Sequence, residues 1–224
     1  MSSSPVADAR GPGRPAQFDR DQALDGLLML IWRKGYDAAT QEEMLAATGL
    51  SSSTLYRSFG NKADILGVVL QRYLTSTNAM LAPLENGRAG TADVHAFLNH
   101  IRAQLDGPMS TAGCLVVDTM QDPINQDPRI KRLTDSHMDR MRRGLTAALQ
   151  RAADAGELAP SAASTLADAL RAGVFGVLVR ARAGDIEDAI TLLRGVRSLL
   201  PKQGRYVSGS RVTNDIEMTR QTGK

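Results

Sequence analysis

The stretch Thr40–Lys62, TQEEMLAATGLSSSTLYRSFGNK, decides the fold of this chain. Thr40 is placed to cap a helix, and Glu43 three residues later completes a capping box. Met44 and Leu45 open an inward face. Gly49 stands where that helix must stop, because a left-handed C-cap suits glycine. Ser51 caps the next helix. On it Leu55 and Phe59, four residues apart, share a buried face, which leaves Ser52, Ser53, Thr54 and Arg57 on the other. Two short helices joined by a tight turn form a helix-turn-helix, in which one helix braces and the next enters a DNA major groove.

Working outward, Ala23, Leu24, Leu27, Leu28, Leu30 and Ile31 follow a helical period and predict a helix from about Asp19 to Lys34, ended by Gly35. Asn61 opens a longer helix, predicted to run to about Leu81. Further helices are predicted over Thr91–Leu105, Thr111–Met120, Arg129–Ala155, Ser161–Ala183 and Asp185–Leu200, separated by Gly and Pro breaks. No alternating strand pattern and no internal repeat is found, so the expected fold is all-α. The expected organisation is a flexible arm over 1–15, a three-helix DNA-binding unit over 16–62, a helical bundle for effector binding and dimerisation over 63–200, and a polar, disordered tail over 201–224.

At these residues the chain resembles TetR-family transcriptional regulators. The resemblance lies in the capped second helix, the turn Thr48-Gly49-Leu50-Ser51, the run Thr54-Leu55-Tyr56-x-x-Phe59 and Asn61-Lys62 opening the long helix. It is close over residues 13–72 and extends beyond that to overall architecture. It implies that Thr40, Thr54, Tyr56 and Lys62 grip phosphates, and that a bound small molecule tilts the fourth helix and releases the operator. Most members carry alanine four residues before the turn glycine. Leu45 stands there in this chain, which predicts altered helix spacing.

From the residues themselves, Arg57 can pair bidentately with a guanine edge, and the short Ser52 and Ser53 permit close approach to bases. The helix N-termini at Thr40 and Asn61 offer oriented amides to anions. Arg14, in Gly13-Arg14-Pro15, reads either as a minor-groove finger or as a solvated cation. The resemblance favours the first, since family members often carry Gly-Arg-Pro there.

Charge is less informative than the pI of 9.2 suggests. Residues 1–62 hold seven basic and seven acidic side chains, residues 63–200 fifteen of each, and the tail from Pro201 five and two, so the net +3 sits in the tail. A neutral DNA-binding unit predicts weak non-specific binding. It also keeps a rival open, a small-molecule-binding or adaptor helical protein without DNA binding.

No apolar run approaches the roughly 20 residues of a membrane span. The N-terminus lacks an apolar signal core, and the single cysteine fits a reducing cytoplasm. His95, His100 and His137 lack metal spacing, no Gly-rich loop follows a strand, and no catalytic triad signature occurs. Neither an enzyme nor a metal or other cofactor is expected.

The expected partners are a palindromic double-stranded operator, a small-molecule effector and a second copy of the chain. Phe97, Ile101, Cys114, Val117, Met120, Met138, Met141 and Phe175 are the candidate effector-pocket residues, because pockets form between helices and methionine suits irregular walls. Phe97 and Phe175 are the only aromatics between Leu74 and Pro201, which argues against a cage for a large cation. Cys114 reads as a small buried hydrophobe or as a sensor of oxidants or electrophiles, and no lysine or arginine lies near it in sequence to lower its pKa. Leu166, Leu170, Val174, Leu178, Ile190, Leu193 and Val196 are the candidate dimer face.

Overall fold

The computed structural model describes residues 18–201; the arm with Arg14, and the segment from 202 onward, lie outside them. Helix α1 (Arg20–Lys34) starts at Asp19, whose carboxylate accepts from the amides of Asp21 and Gln22, and stops at Gly35. It buries Ala23, Leu24, Leu27 and Ile31 along one stripe. Helix α2 (Gln41–Thr48) carries the full Thr40–Glu43 capping box and ends on Gly49 at φ 67°, a left-handed conformation that glycine adopts without strain. Helix α3 (Ser52–Phe59) is capped by Ser51 and buries Leu55 and Phe59. The tight crossing in this unit lies between α1 and α2. A β-carbon on Gly26 would sit 2.3 Å from the carbonyl oxygen of Ala47. Leu45 is partly buried against the core.

The helix expected to run from Asn61 to about Leu81 is two helices. Asn61 caps α4 (Lys62–Ser76), and α5 (Asn78–Asn86) follows a break at Thr77. The cause is local. The hydroxyls of Thr75, Ser76 and Thr77 donate to the carbonyls of Gln71, Tyr73 and Leu74 at 3.0, 2.7 and 2.8 Å. Three consecutive back-bonds of this kind compete with the helical ladder and bend it. Helix α6 (Thr91–Asp106) follows as expected. The next helix begins later than expected: α7 (Leu115–Gln121) opens only after Gly113, at φ 60°, and an extended Cys114.

Helix α8 (Pro128–Asp154) is the long central element, packed against α4, α5, α6, α7 and α9. Helix α9 (Ala163–Arg182) and helix α10 (Ile186–Ser198) close the bundle, and α10 also packs on α6. One apolar core runs continuously from Ala23 in α1 to Leu200. The N-terminal three-helix unit therefore rests on the bundle's own core.

Pro160–Arg182 is long and apolar enough, by length and composition alone, to cross a membrane, but Asp168, Arg171, Arg180 and Arg182 interrupt it and α9 packs on α8 and α10 within the bundle. One expectation needs correction here: most of the residues expected at the dimer face are turned inward. Leu170, Val174, Leu178, Leu193 and Val196 are buried within one chain, and Leu166 and Ile190 are partly buried. Counting apolar residues did not separate the two faces of α9 and α10. The larger side chains fill the protomer's core. The outward stripes are smaller: Ala169, Ala172 and Val179 on α9, and Leu192 and Gly195 on α10 with Leu199 just past its end, all exposed.

Candidate nucleic-acid interface and effector cavity

The exposed edge of α3 presents Ser53 and Arg57, with Ser52 and Thr54 half-exposed beside them. Ser51 donates to the Thr54 hydroxyl at 2.9 Å, and the Gln41 amide nitrogen donates to the Ser52 hydroxyl at 3.2 Å, tying the start of α2 to the start of α3. Arg57 forms no salt bridge among the described residues, so its planar fork is available to a base edge. Tyr56 is partly buried against the core. At the other end of α3, Arg20 lies over the Phe59 ring at 4.8 Å and donates to the Ser58 carbonyl at 3.4 Å. Gln41 and Arg20 are thus positioning residues that the sequence reading did not single out.

The helix N-termini are more self-contained than expected. Thr40 accepts from the Glu43 amide, while the Thr40 amide and hydroxyl both donate to the Glu43 carboxylate at 3.1 Å. Lys34 closes on Glu43 at 2.5 Å. The hydrogen bonds from Lys34 and Thr40 hold the Glu43 carboxyl below its usual range. At α4 the Asn61 oxygen accepts from the amides of Ala63 and Asp64, and Asp64 pairs with Arg129 at 2.5 Å. Each N-terminus therefore satisfies part of its first turn with its own cap: the Glu43 amide at α2, and the Ala63 and Asp64 amides at α4. Lys62 donates to the Asp37 carbonyl at 3.1 Å and sits 4.8 Å from the Tyr36 ring centroid, bracing the loop between α1 and α2.

Behind this unit lies a cavity of about 200 Å³. Its wall takes Trp32 from α1, Tyr73, Ser76 and Thr77 from the α4 terminus, and Met80 from α5. The far side takes Phe97, His100, Ile101 and Gln104 from α6, Cys114, His137 and Met141, and Val174 and Leu178 from α9. Of the expected pocket residues, Phe97, Ile101, Cys114 and Met141 stand in this wall. Val117, Met120, Met138 and Phe175 do not. Val117 and Met138 are buried elsewhere in the core, Met120 is exposed near the end of α7, and Phe175 is partly buried against the core.

Val174 and Leu178, expected at a dimer face, line the cavity instead. Trp32 and Tyr73, packed edge-on with centroids 5.1 Å apart, were missed altogether. Trp32 is the chain's one tryptophan. It falls off the buried stripe of α1, and that was the available signal.

Among the described residues no lysine, arginine or carboxylate lines the cavity. Burial, together with Arg140, pushes His137 down to about 4, so its imidazole is neutral near pH 7. Its Nε2 is buried and has no hydrogen-bond partner among the described residues. Cys114 is buried beside Tyr73, and burial pushes its thiol up.

Two contacts join the cavity wall to the DNA-binding unit. Trp32 Nε1 and Gln104 Nε2 both donate to the Gly113 carbonyl, at 3.1 and 2.6 Å. Arg72 on α4 holds Asp25 on α1 through two hydrogen bonds of 2.9 and 3.1 Å. Trp32 thus ties α1 to the cavity wall, and Arg72 ties α1 to α4.

Comparison with known proteins agrees with this geometry. Residues 23–69 match the family model described as bacterial regulatory proteins, tetR family, and residues 90–195 match that of the tetracyclin repressor-like C-terminal domain. The HTH-type transcriptional repressor ComR of Escherichia coli K12 is 30% identical over 178 residues, covering 77% of this chain and 83% of ComR. Among solved structures, a cysteine mutant of the TetR family transcriptional regulator CifR, complexed with 26 bp double-strand operator DNA, superposes with a TM-score of 0.71. It is 23% identical and covers 83% of this chain and 98% of its own. The reduced form of E. coli NemR superposes at 0.68 with 18% identity, covering 83% of this chain and 96% of its own.

Proposed function

The chain belongs to the TetR family of bacterial regulatory proteins and is a DNA-binding transcriptional regulator, and on that premise we propose that it is a dimeric cytoplasmic repressor, released from a palindromic operator by a small molecule held in the cavity. One observation carries the ligand half of this reading. Trp32 belongs to α1 of the DNA-binding unit and is at the same time part of the cavity wall. A ligand that prefers the position of α1 and α4 incompatible with the operator shifts the population toward release.

Arg57, Ser52 and Ser53 read bases, and Thr40, Thr54, Tyr56 and Lys62 set the register on phosphates, with Arg14 reaching from the arm. A single α3 reads only a short half-site, so a two-fold dimer is needed to double the contacts. The exposed stripe Ala169, Ala172 and Val179, with Leu192 and Leu199 beside it, is the face we assign to that dimer. A groove lined by Leu158, Leu166, Ala169 and Leu199 continues it. Domain limits near residues 62 and 200 follow from the same reading.

The thiol reading of Cys114 is weaker on physical grounds. A buried sulfur whose pKa is raised is a poor nucleophile, and among the described residues no lysine or arginine lines the cavity to stabilise a thiolate. The test of the main reading is fluorescence anisotropy of the full chain on labelled DNA taken from upstream of its own gene, at two salt concentrations. Saturable, sequence-specific binding at one dimer per site is expected. Binding indifferent to sequence would overturn it.

A further inference from the structure

We propose that the effector is a small uncharged molecule with an apolar body and a single O–H or N–H donor, and that His137 is the residue that receives this donor. This rests on the reading of the cavity as the effector site. Three observations set the chemistry.

The first is size. A dry apolar cavity of about 150 Å³ holds benzene, so about 200 Å³ suits a ring or short chain with one or two further heavy atoms. The second is charge. With no lysine, arginine or carboxylate among the described residues of the wall, a carboxylate or ammonium ligand would lose its hydration without a fixed counter-charge.

The third is the direction of the polar groups. The Ser76 and Thr77 hydroxyl protons are committed to the carbonyls of Tyr73 and Leu74, and the Gln104 amide nitrogen donates to Gly113. The Gln104 amide keeps one N–H, and otherwise these three side chains have only oxygen lone pairs left, so their free capacity is mainly acceptor.

His137 completes the set. It is 3% exposed, stands in the wall, and carries an Nε2 with no partner. Buried polar side-chain atoms are normally paired, and an unpaired one calls for an explanation. A neutral imidazole can offer a lone pair to a ligand O–H. The second side-chain torsion of histidine is broad, so ring rotation is the means by which that nitrogen would meet a bound donor.

The test uses Trp32, the only tryptophan, as an intrinsic reporter in the wall. The full-length protein is titrated with p-cresol, 4-methylanisole, toluene and 4-methylbenzoate, following tryptophan fluorescence and confirming by calorimetry. The expected order puts p-cresol at least tenfold tighter than 4-methylanisole and toluene, with 4-methylbenzoate not binding. In His137→Phe, p-cresol should fall to within about twofold of toluene, while toluene still binds. Equal affinity for the phenol and its methyl ether, preferred binding of the carboxylate, no binding by any of the four, or an undiminished phenol preference in a folded His137→Phe would each overturn the proposal. If His137→Phe does not fold, the ligand series on the unsubstituted protein still decides. Release of labelled operator by p-cresol is measured separately. Tight binding without release leaves the ligand class standing and removes the repressor-release reading instead.

Discussion

Arg182, in the last turn of α9, donates through Nη1 to the carbonyl oxygen of Trp32, in the last turn of α1, at 2.9 Å. The same nitrogen reaches the Arg33 carbonyl at 2.9 Å, and Nη2 pairs with Asp118 of α7 at 2.9 Å. The last carbonyls of a helix have no partner within it, and a cation there also faces the negative end of its dipole. The bundle thus holds the DNA-binding unit by the C-terminus of its first helix, beside the cavity wall. Arg182→Gln should lower stability by about 2 kcal/mol in urea unfolding, because Asp118 is left half-buried and unpaired. Asp118→Asn should cost less, since burial already pushes the Asp118 carboxyl up and disfavours its charge. In folded Arg182→Gln, operator and ligand should each still bind, while the effect of one on the affinity for the other shrinks.

Gly26→Ala should be far more damaging than an exposed alanine usually is in a helix. Its β-carbon would meet a backbone oxygen at 2.3 Å, which no side-chain rotation relieves. A loss of about 2 kcal/mol is expected from forced separation of packed helices. Operator affinity should fall with it, because α2 positions α3. Thermal unfolding and anisotropy on the same samples check both.

Two substitutions at the DNA face should separate reading from gripping. Arg57→Ala should relax preference at one position in each half-site by about 1–3 kcal/mol. Lys62→Ala should weaken all sequences about equally and reduce the salt slope by roughly one. Selection from random DNA reads the first, and affinity against salt concentration the second.

The dimer face is tested by contrasting a buried with an exposed position. Leu170 is fully buried and Val179 is 40% exposed, only nine residues further along α9. Leu170→Glu should leave little folded protein, since it places an unpaired charge in the core. Val179→Glu should give a folded monomer by sedimentation, with weakened operator binding. A Val179→Glu protein that remains dimeric would place the interface elsewhere.

Stability should fall between pH 6.5 and about 4 through His137. Its folded pKa is about 4, below the ordinary 6.5. The unfolded chain therefore takes up this proton first as the pH drops. The stability it withholds is complete above 6.5 and is lost progressively below it, up to roughly 3 kcal/mol for a shift of this size. His95 is also lowered by burial and adds a smaller slope of the same sign. Comparing unfolding of the unsubstituted protein and His137→Phe from pH 7 to 5 isolates the effect. The window lies above the range where the depressed carboxyls of Glu43, Asp64 and Asp127 titrate.

The DNA-binding unit was legible from the chain because every signal in it is local. Thr40 with Glu43, Ser51 with Thr54, Gly49 at a helix end, and Leu55 with Phe59 all act within four residues, and caps, turns and helical faces depend on little else. The same locality made most helix limits readable. It failed at Thr75-Ser76-Thr77, where side chains compete with the helix for its own carbonyls.

The cavity and the outer faces are different in kind. Trp32, His137 and Val174 are more than a hundred residues apart at the extremes, and nothing in sequence spacing brings them to one wall. Nor does apolar content say which stripe of α9 a protomer buries in itself and which it leaves for a partner. By itself the sequence determined the all-α fold, the helix-turn-helix and the exposed polar edge of α3, since short-range hydrogen bonding and periodic burial fix them. Tertiary structure alone decided the cavity's lining, the unpaired imidazole and the hold of Arg182 on α1, because each is set by how whole helices pack across long chain separations.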